Sequence, residues 1–182
     1  MLRGVAEASA LADECGISSP DSDPSLLRNP ETYGKFLREM HQRGLVVFDA
    51  DDGAPAALGI FFVRKKDGSL RIIFDTRLLN LQFVDPLSVQ LPTAGALCNM
   101  EVADGQELEV ATCDVSTAFY RMRVPPSLGK RCTLPAIDAK YLGVPGHSGM
   151  IKPLLTVLPM GWAWALQLCQ LVVEKFVARE AG

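Results

Sequence analysis

A carboxylate, Asp114, closes a largely apolar run from Leu108 to Cys113 that reads as a buried strand and opens Asp-Val-Ser-Thr-Ala-Phe-Tyr-Arg-Met-Arg-Val-Pro125. A charge at the mouth of such a strand is expensive unless something pairs with it. Two chemistries fit. Magnesium takes few hard oxygen ligands from a rigid element, because it keeps waters and substrate oxygens for the rest. Asp114 with the carbonyl of Val115 would then form one edge of a two-metal site. Alternatively, Asp114 or Ser116 caps a short helix through Ser-Thr-Ala-Phe-Tyr. The residues alone leave both open.

A second stretch, FFVRKKDGSLRIIFDTRLLN, carries Lys65 and Lys66 just before a turn and Arg71 just after it. Cations on both arms of a hairpin can form a polyphosphate clamp, with lysine as a mobile point charge and arginine as a two-pronged fork. They can equally be the solvated tip of an ordinary hairpin.

These residues must be carried by definable elements. Asn29-Pro30 predicts a helix start, and Gly44 a stop after Arg43. Leu45–Phe48 reads as a short strand and Asp51-Asp52-Gly53 as a turn. Leu58–Arg64 and Leu70–Phe74 are β-rich runs joined across Asp67-Gly68, a hairpin signal. A Pro-punctuated connection leads to the strand ending at Asp114. Arg131–Ile137, Lys140–Val144 and Ile151–Leu158 follow as expected strands around a Pro-Gly-His-Ser-Gly loop, and a helix from Trp162 closes the chain. Residues 1–28, rich in Ser, Asp and Pro, are expected to be a flexible leader before one folded unit at 29–182. The order is mixed α+β without an internal repeat.

The 182 residues are 48% hydrophobic and carry a formal net charge of −3, which suits a globular chain rather than one coated with nucleic acid. Charge is nevertheless focused. Arg64, Lys65, Lys66, Arg71 and Arg77 outnumber Asp67 and Asp75, and Arg121, Arg123, Lys130 and Arg131 share their segment with no acid. Such patches suit a local anion site. Five cysteines, none in a Cys-x-x-Cys pair, argue against a zinc site and a disulfide framework and point to a reducing compartment. With no basic-then-apolar signal segment, the expected location is intracellular, cytoplasmic or nuclear, and not secretory. Pro153 to Val173 is uncharged and long enough to span a bilayer. Pro159-Met-Gly161 interrupts it, and Ala163, Gln167, Gln170 and Glu174 share one stripe, so an amphipathic helix off the membrane is expected.

In this order, KKDGSLRIIFDTRLLN, CDVSTAFYRMRVP and LPMGWAWALQLCQ resemble the reverse transcriptases of retroelements, the RNA-directed DNA polymerases, from about Leu58 to Gln170. The resemblance implies a fingers hairpin in which Lys65 and Arg71 hold the incoming deoxynucleoside triphosphate. It implies an antiparallel palm sheet packed on helices, with Asp114 as the first catalytic aspartate and Asp114 and Val115 as ligands of Mg²⁺. Phe119 would lie beneath the sugar and leave no room for a 2′-OH, while Tyr120 packs into the core. Leu158, Pro159, Met160 and Gly161 would lie against the template and nascent base pair. The implied partners are an RNA or DNA template with its primer, deoxynucleoside triphosphates, and the remaining palm and thumb segments of a longer polyprotein.

Two departures qualify this. Trp162-Ala-Trp164-Ala stands where many relatives have small residues or proline. The family's second acidic motif, an aromatic, one residue and two aspartates, is not met by Gly182; Asp51-Asp52 is a turn in the wrong order. With one carboxylate where two ions need at least two, the chain is not expected to polymerise alone. The competing expectation is a degenerate or domesticated remnant that at most binds nucleic acid. Gly146-His147-Ser148-Gly149 brushes against the Gly-x-Ser-x-Gly elbow of hydrolases, but its last glycine comes one place early, and a surface loop is expected there.

Overall fold

In a computed structural model the chain is described at residues 2–87, 89, 93, 95, 98–107, 112 and 114–180. The helices are α1 (Val5–Glu14), α2 (Pro24–Leu27), α3 (Pro30–Gln42), α4 (Arg77–Leu81), α5 (Ala118–Arg121), α6 (Pro126–Gly129) and α7 (Ala163–Glu180). The strands are β1 (Val46–Ala50), β2 (Gly59–Arg64), β3 (Leu70–Asp75), β4 (Ile137–Asp138) and β5 (Met150–Leu155), with a 3₁₀ turn at Ala139–Tyr141. The class is α+β, with two small antiparallel sheets, β1-β5-β4 and β2-β3.

Helix α3 forms where its end signals say it should. The Asn29 side chain accepts from the Thr32 N–H at 3.0 Å, and Pro30 supplies a helical φ in the first turn. At the other end, Gly44 takes φ 68. Its N–H reaches the His41 carbonyl at 2.8 Å, and the Leu45 N–H reaches Met40 at 2.9 Å, the Schellman pairing that satisfies the last carbonyls. Tyr33, Leu37 and Met40 recur at helical spacing and are buried. They join Val46, Ile151 and Leu155 of the three-stranded sheet in the core. The Tyr33 hydroxyl donates to the Pro135 carbonyl at 2.8 Å, and burial pushes its phenol pKa up.

The expected hairpin forms as β2–β3, with Gly59 opposite Asp75 and Arg64 opposite Leu70. Its turn is closed by the Lys65 N–H on the Ser69 carbonyl at 2.8 Å and by the Ser69 N–H on the Asp67 carboxylate at 2.9 Å.

Residues 2–28 contain α1 and α2, with the Asp23 N–H on the Ile60 carbonyl at 2.7 Å and the Arg3 N–H on Gln82 at 2.9 Å. Several expected strands are corrected. Lys140–Val144 is no strand. The Asp138 carboxylate takes the Lys140 N–H at 3.0 Å and curls the backbone into the 3₁₀ turn. Of Arg131–Ile137, only Thr133, in an isolated bridge to Leu154, and Ile137, in β4, pair as β-structure; Pro135 between them has no N–H to give a ladder. The run expected at Ile151–Leu158 ends as a strand at Leu155, and Val157 bridges Arg123 instead. The expected strand Leu108–Cys113 lies, apart from Thr112, outside the described residues. Helix α7 begins beside Trp162, whose ring meets Phe83 at 5.0 Å, but leaves Leu171, Val172, Val173, Phe176 and Val177 exposed rather than covered. Among the described residues no helix is long and apolar enough to cross a membrane.

Candidate functional site

An open cleft of about 690 Å³ lies between the inner side of the hairpin and the turn leading into α5. Lys65, Leu70, Arg71 and Ile72 form one wall, residues 114–120 the floor and opposite wall, and Met160 the end. Three stretches separated by tens of residues therefore meet in one place. Lys66, the other cation of the turn, does not line this cleft but a second one at the hairpin tip, to which Lys65 and Arg71 also contribute. Among the described residues Lys65 and Arg71 form no ion pair within the protein, and both are exposed. Two exposed cations, one of which also acts on the Asp67 carboxylate, line a cleft suited to a polyanion.

Asp114 is exposed, and among the described residues its side chain accepts no hydrogen bond. The alternative role as a cap does not hold. Thr117 occupies the cap position of α5, and no side chain caps that helix. Thr117 sits at φ 55, ψ 38, the left-handed region that costs a β-branched residue strain. Around it, the Val115 carbonyl accepts from the Ala118 N–H at 3.2 Å, and the Ser116 carbonyl accepts from Arg121 Nε at 2.9 Å. Phe119 leaves this turn half-buried, packed against the core and lining the cleft. Tyr120 is packed likewise, and burial raises its phenol pKa.

The donor chemistry suits magnesium in part. Asp114 supplies a free carboxylate, and Val115 a carbonyl with one lone pair already engaged. Both are hard oxygens of the kind that ion takes. Among the described residues no group of three or more His, Cys, Asp or Glu side chains comes together. The set suits a share of one ion rather than a complete two-ion cage.

The Leu158–Gly161 stretch divides. Met160 faces the cleft, Pro159 and Leu158 are buried beneath it, and Gly161 is exposed. Its placement depends on a residue to which the sequence assigned no role. Asn80 of α4 accepts from the Ala163 N–H at 2.9 Å and donates to the Gly161 carbonyl at 3.3 Å, holding both sides of the turn into α7. Its only signal in the sequence is its place at the end of the Asp75-Thr-Arg-Leu-Leu-Asn80 run.

Away from the cleft, Asp51 and Asp52 form a turn clamped by the buried Lys152. Its ammonium lies 3.2 Å from Asp51, contacts Asp52 and donates to the Ala54 carbonyl at 2.8 Å. Gly146–Gly149 is an exposed loop, with the His147 ring edge-on to Phe48 at 5.8 Å. The sequence matches no protein-family model, and no curated protein matches it.

Proposed function

We propose that this chain supplies the fingers and first palm segment of an RNA-directed DNA polymerase. The reading is carried by one observation: Lys65, Arg71, Asp114, Phe119 and Met160, from three separate stretches, line a single cleft. The reaction is transfer of a deoxynucleotide to a primer 3′-OH. The hydroxyl gives up its proton to solvent water, its oxygen bonds to the α-phosphorus, the bond to the bridging oxygen breaks, and pyrophosphate leaves. Lys65 and Arg71 bind and neutralise the triphosphate, the lysine as a point charge and the arginine as a fork. Phe119 supplies a wall beneath the sugar that a 2′-OH would strike. Met160 supports the nascent base pair. Asp114 and the Val115 carbonyl would share in holding two Mg²⁺ with carboxylates from elsewhere, and such a pair would supply charge stabilisation for the transfer.

A second reading is favoured by Asp114 being, among the described residues, the one carboxylate lining the cleft: the chain binds primer–template and triphosphate without turnover. The two share their first step, so binding is measured first. Calorimetry with dATP and Mg²⁺ is expected to give saturable binding that weakens about tenfold in Arg71→Ala, the scale of one lost charge-assisted contact. Unchanged affinity in a Lys65→Ala/Arg71→Ala chain would remove the polymerase reading. Affinity for a primer–template duplex is expected to fall steeply as salt rises, because the basic residues displace counterions.

A further inference from the structure

Phe119 is useful as a sugar wall only if its ring is held still, and its support is unusual. It belongs to a helix of 4 residues that no side chain caps. The preceding residue but one, Thr117, is in the left-handed conformation that β-branched residues avoid. A turn stored in that conformation persists only where something else over-determines it. Among the described residues, three contacts hold this turn. The Ala118 N–H closes on the Val115 carbonyl at 3.2 Å, the Tyr120 N–H on the Thr117 carbonyl at 2.9 Å, and Arg121 reaches back with its Nε to the Ser116 carbonyl at 2.9 Å. The last is the only one made by a side chain, and it fastens the peptide immediately before the strained residue.

We infer that Arg121 is a positioning residue for sugar selection: it pins the Ser116–Thr117 turn and thereby fixes the height of the Phe119 ring in the cleft. Arg121 does this through Nε and is not among the residues lining the cleft. The inference rests on the proposal that the cleft takes a deoxynucleoside triphosphate, and adds the means by which that substrate is told from its ribose counterpart. A charged side chain in this region invites a rival role, direct attraction of the triphosphate. The two make different predictions, because a phosphate contact serves ribose and deoxyribose substrates equally.

The test compares dATP with ATP on the intact chain by calorimetry with Mg²⁺, reading the ratio of the two dissociation constants. In the parent chain dATP is expected to bind more tightly, and Phe119→Ala to bring the ratio close to unity. Arg121→Ala is expected to lower the ratio by about three- to tenfold, what one lost hydrogen bond converts to, mainly by tightening ATP. Thr117→Gly removes the strain that Arg121 holds in check, so Arg121→Ala is expected to change the ratio much less in the Thr117→Gly background. Loss of overall fold cannot mimic that rescue. Three results overturn the inference. An unchanged ratio in Arg121→Ala with normal binding shows that the pin does not matter. Equal weakening of dATP and ATP shows a phosphate contact instead. A parent chain that binds neither nucleotide, or both alike, removes the substrate reading itself, and the inference with it.

Discussion

Asp75 offers the sharpest test of how the hairpin is mounted. Its side chain is 4% exposed at the end of β3. It accepts from the Asp21 N–H at 2.7 Å, from the Arg77 N–H at 3.1 Å and from the Arg77 guanidinium at 2.9 Å and 2.7 Å. Those Arg77 hydrogen bonds come first in holding the carboxyl at about 2, against the ordinary 3.8. At about 1.4 kcal/mol per tenfold in proton affinity, that difference is about 2 kcal/mol of stability. Screening at the half-exposed Arg77 trims it to roughly 1–2 kcal/mol. The pKa is depressed in the folded state, so the contribution is complete above about pH 4 and is lost as pH falls towards 2; about half remains at pH 3. Urea unfolding of the parent and Asp75→Asn chains at a series of pH values reads this directly. The parent is expected to be more stable by roughly 1–2 kcal/mol at pH 6, with the gap narrowing by about half at pH 3. Asp23, Asp52, Asp67 and Asp138 are also held below the usual carboxylate range and shape the acid limb of both chains, so only the difference counts. Two curves that stay parallel from pH 6 to pH 3 would refute the argument.

Three further substitutions follow from the same geometry. A Cβ at Gly59 would sit 1.7 Å from the Asp21 carbonyl oxygen, which is backbone and can clear only by lifting the 21–23 segment. Gly59→Ala is therefore expected to cost about 2–4 kcal/mol in urea unfolding and to open residues 18–28 to protease; an unchanged midpoint would contradict the close approach. Thr117→Gly exchanges a left-handed penalty of about 1–2 kcal/mol for a somewhat smaller gain in unfolded-state entropy, so a net stabilisation of about 0.5–1 kcal/mol is expected, and a destabilised chain would contradict the strain. Lys152→Met, which removes a nearly buried cation, is expected to stay within about 1 kcal/mol of the parent, whereas Asp51→Ala/Asp52→Ala strands that cation and is expected to cost about 3 kcal/mol; equal effects would show that the pair is not coupled.

What was legible in the sequence is what short-range rules encode. Asn29-Pro30 and Gly44 bounded α3 because capping is settled within a turn of helix, and Asp67-Gly68 marked a hairpin because only a few backbone turns close one. Lys65, Arg71, Asp114, Phe119 and Met160, singled out by residue type, line one cleft, whereas Pro159 is buried and the Gly161 carbonyl accepts from Asn80. The failures share a cause. The Asp21–Asp75 and Asn80–Gly161 contacts join residues far apart along the chain, and nothing in the composition of SSPDSDPS announces that its backbone will pair with Ile60. Lys140–Val144 misled for the opposite reason: a single side chain, Asp138, captured a neighbouring N–H and overrode a β-rich composition.

The hairpin connects these findings to function. Two strands alone are marginal in water, and the tip that carries Lys65 and Arg71 is exposed, with Val63 and Leu70 among its uncovered side chains. Its order is imposed at the base. The Leu58 and Ala57 N–H groups bond to Thr133 at 3.0 Å and 2.9 Å, Phe62 meets Phe36 of α3 edge-on at 5.6 Å, and the 21–23 segment covers the strand edge at Ile60. The cations of the cleft are thus positioned from their far end, by contacts that touch no part of it. Disturbing Asp75 or Gly59 is therefore expected to weaken dATP binding more than the local loss of stability requires, because a small tilt at the base is magnified at the tip. Substitutions of equal cost around Lys152, on the other sheet, are expected to leave binding unchanged. If both groups weaken dATP alike at matched stability, the base does not position the clamp.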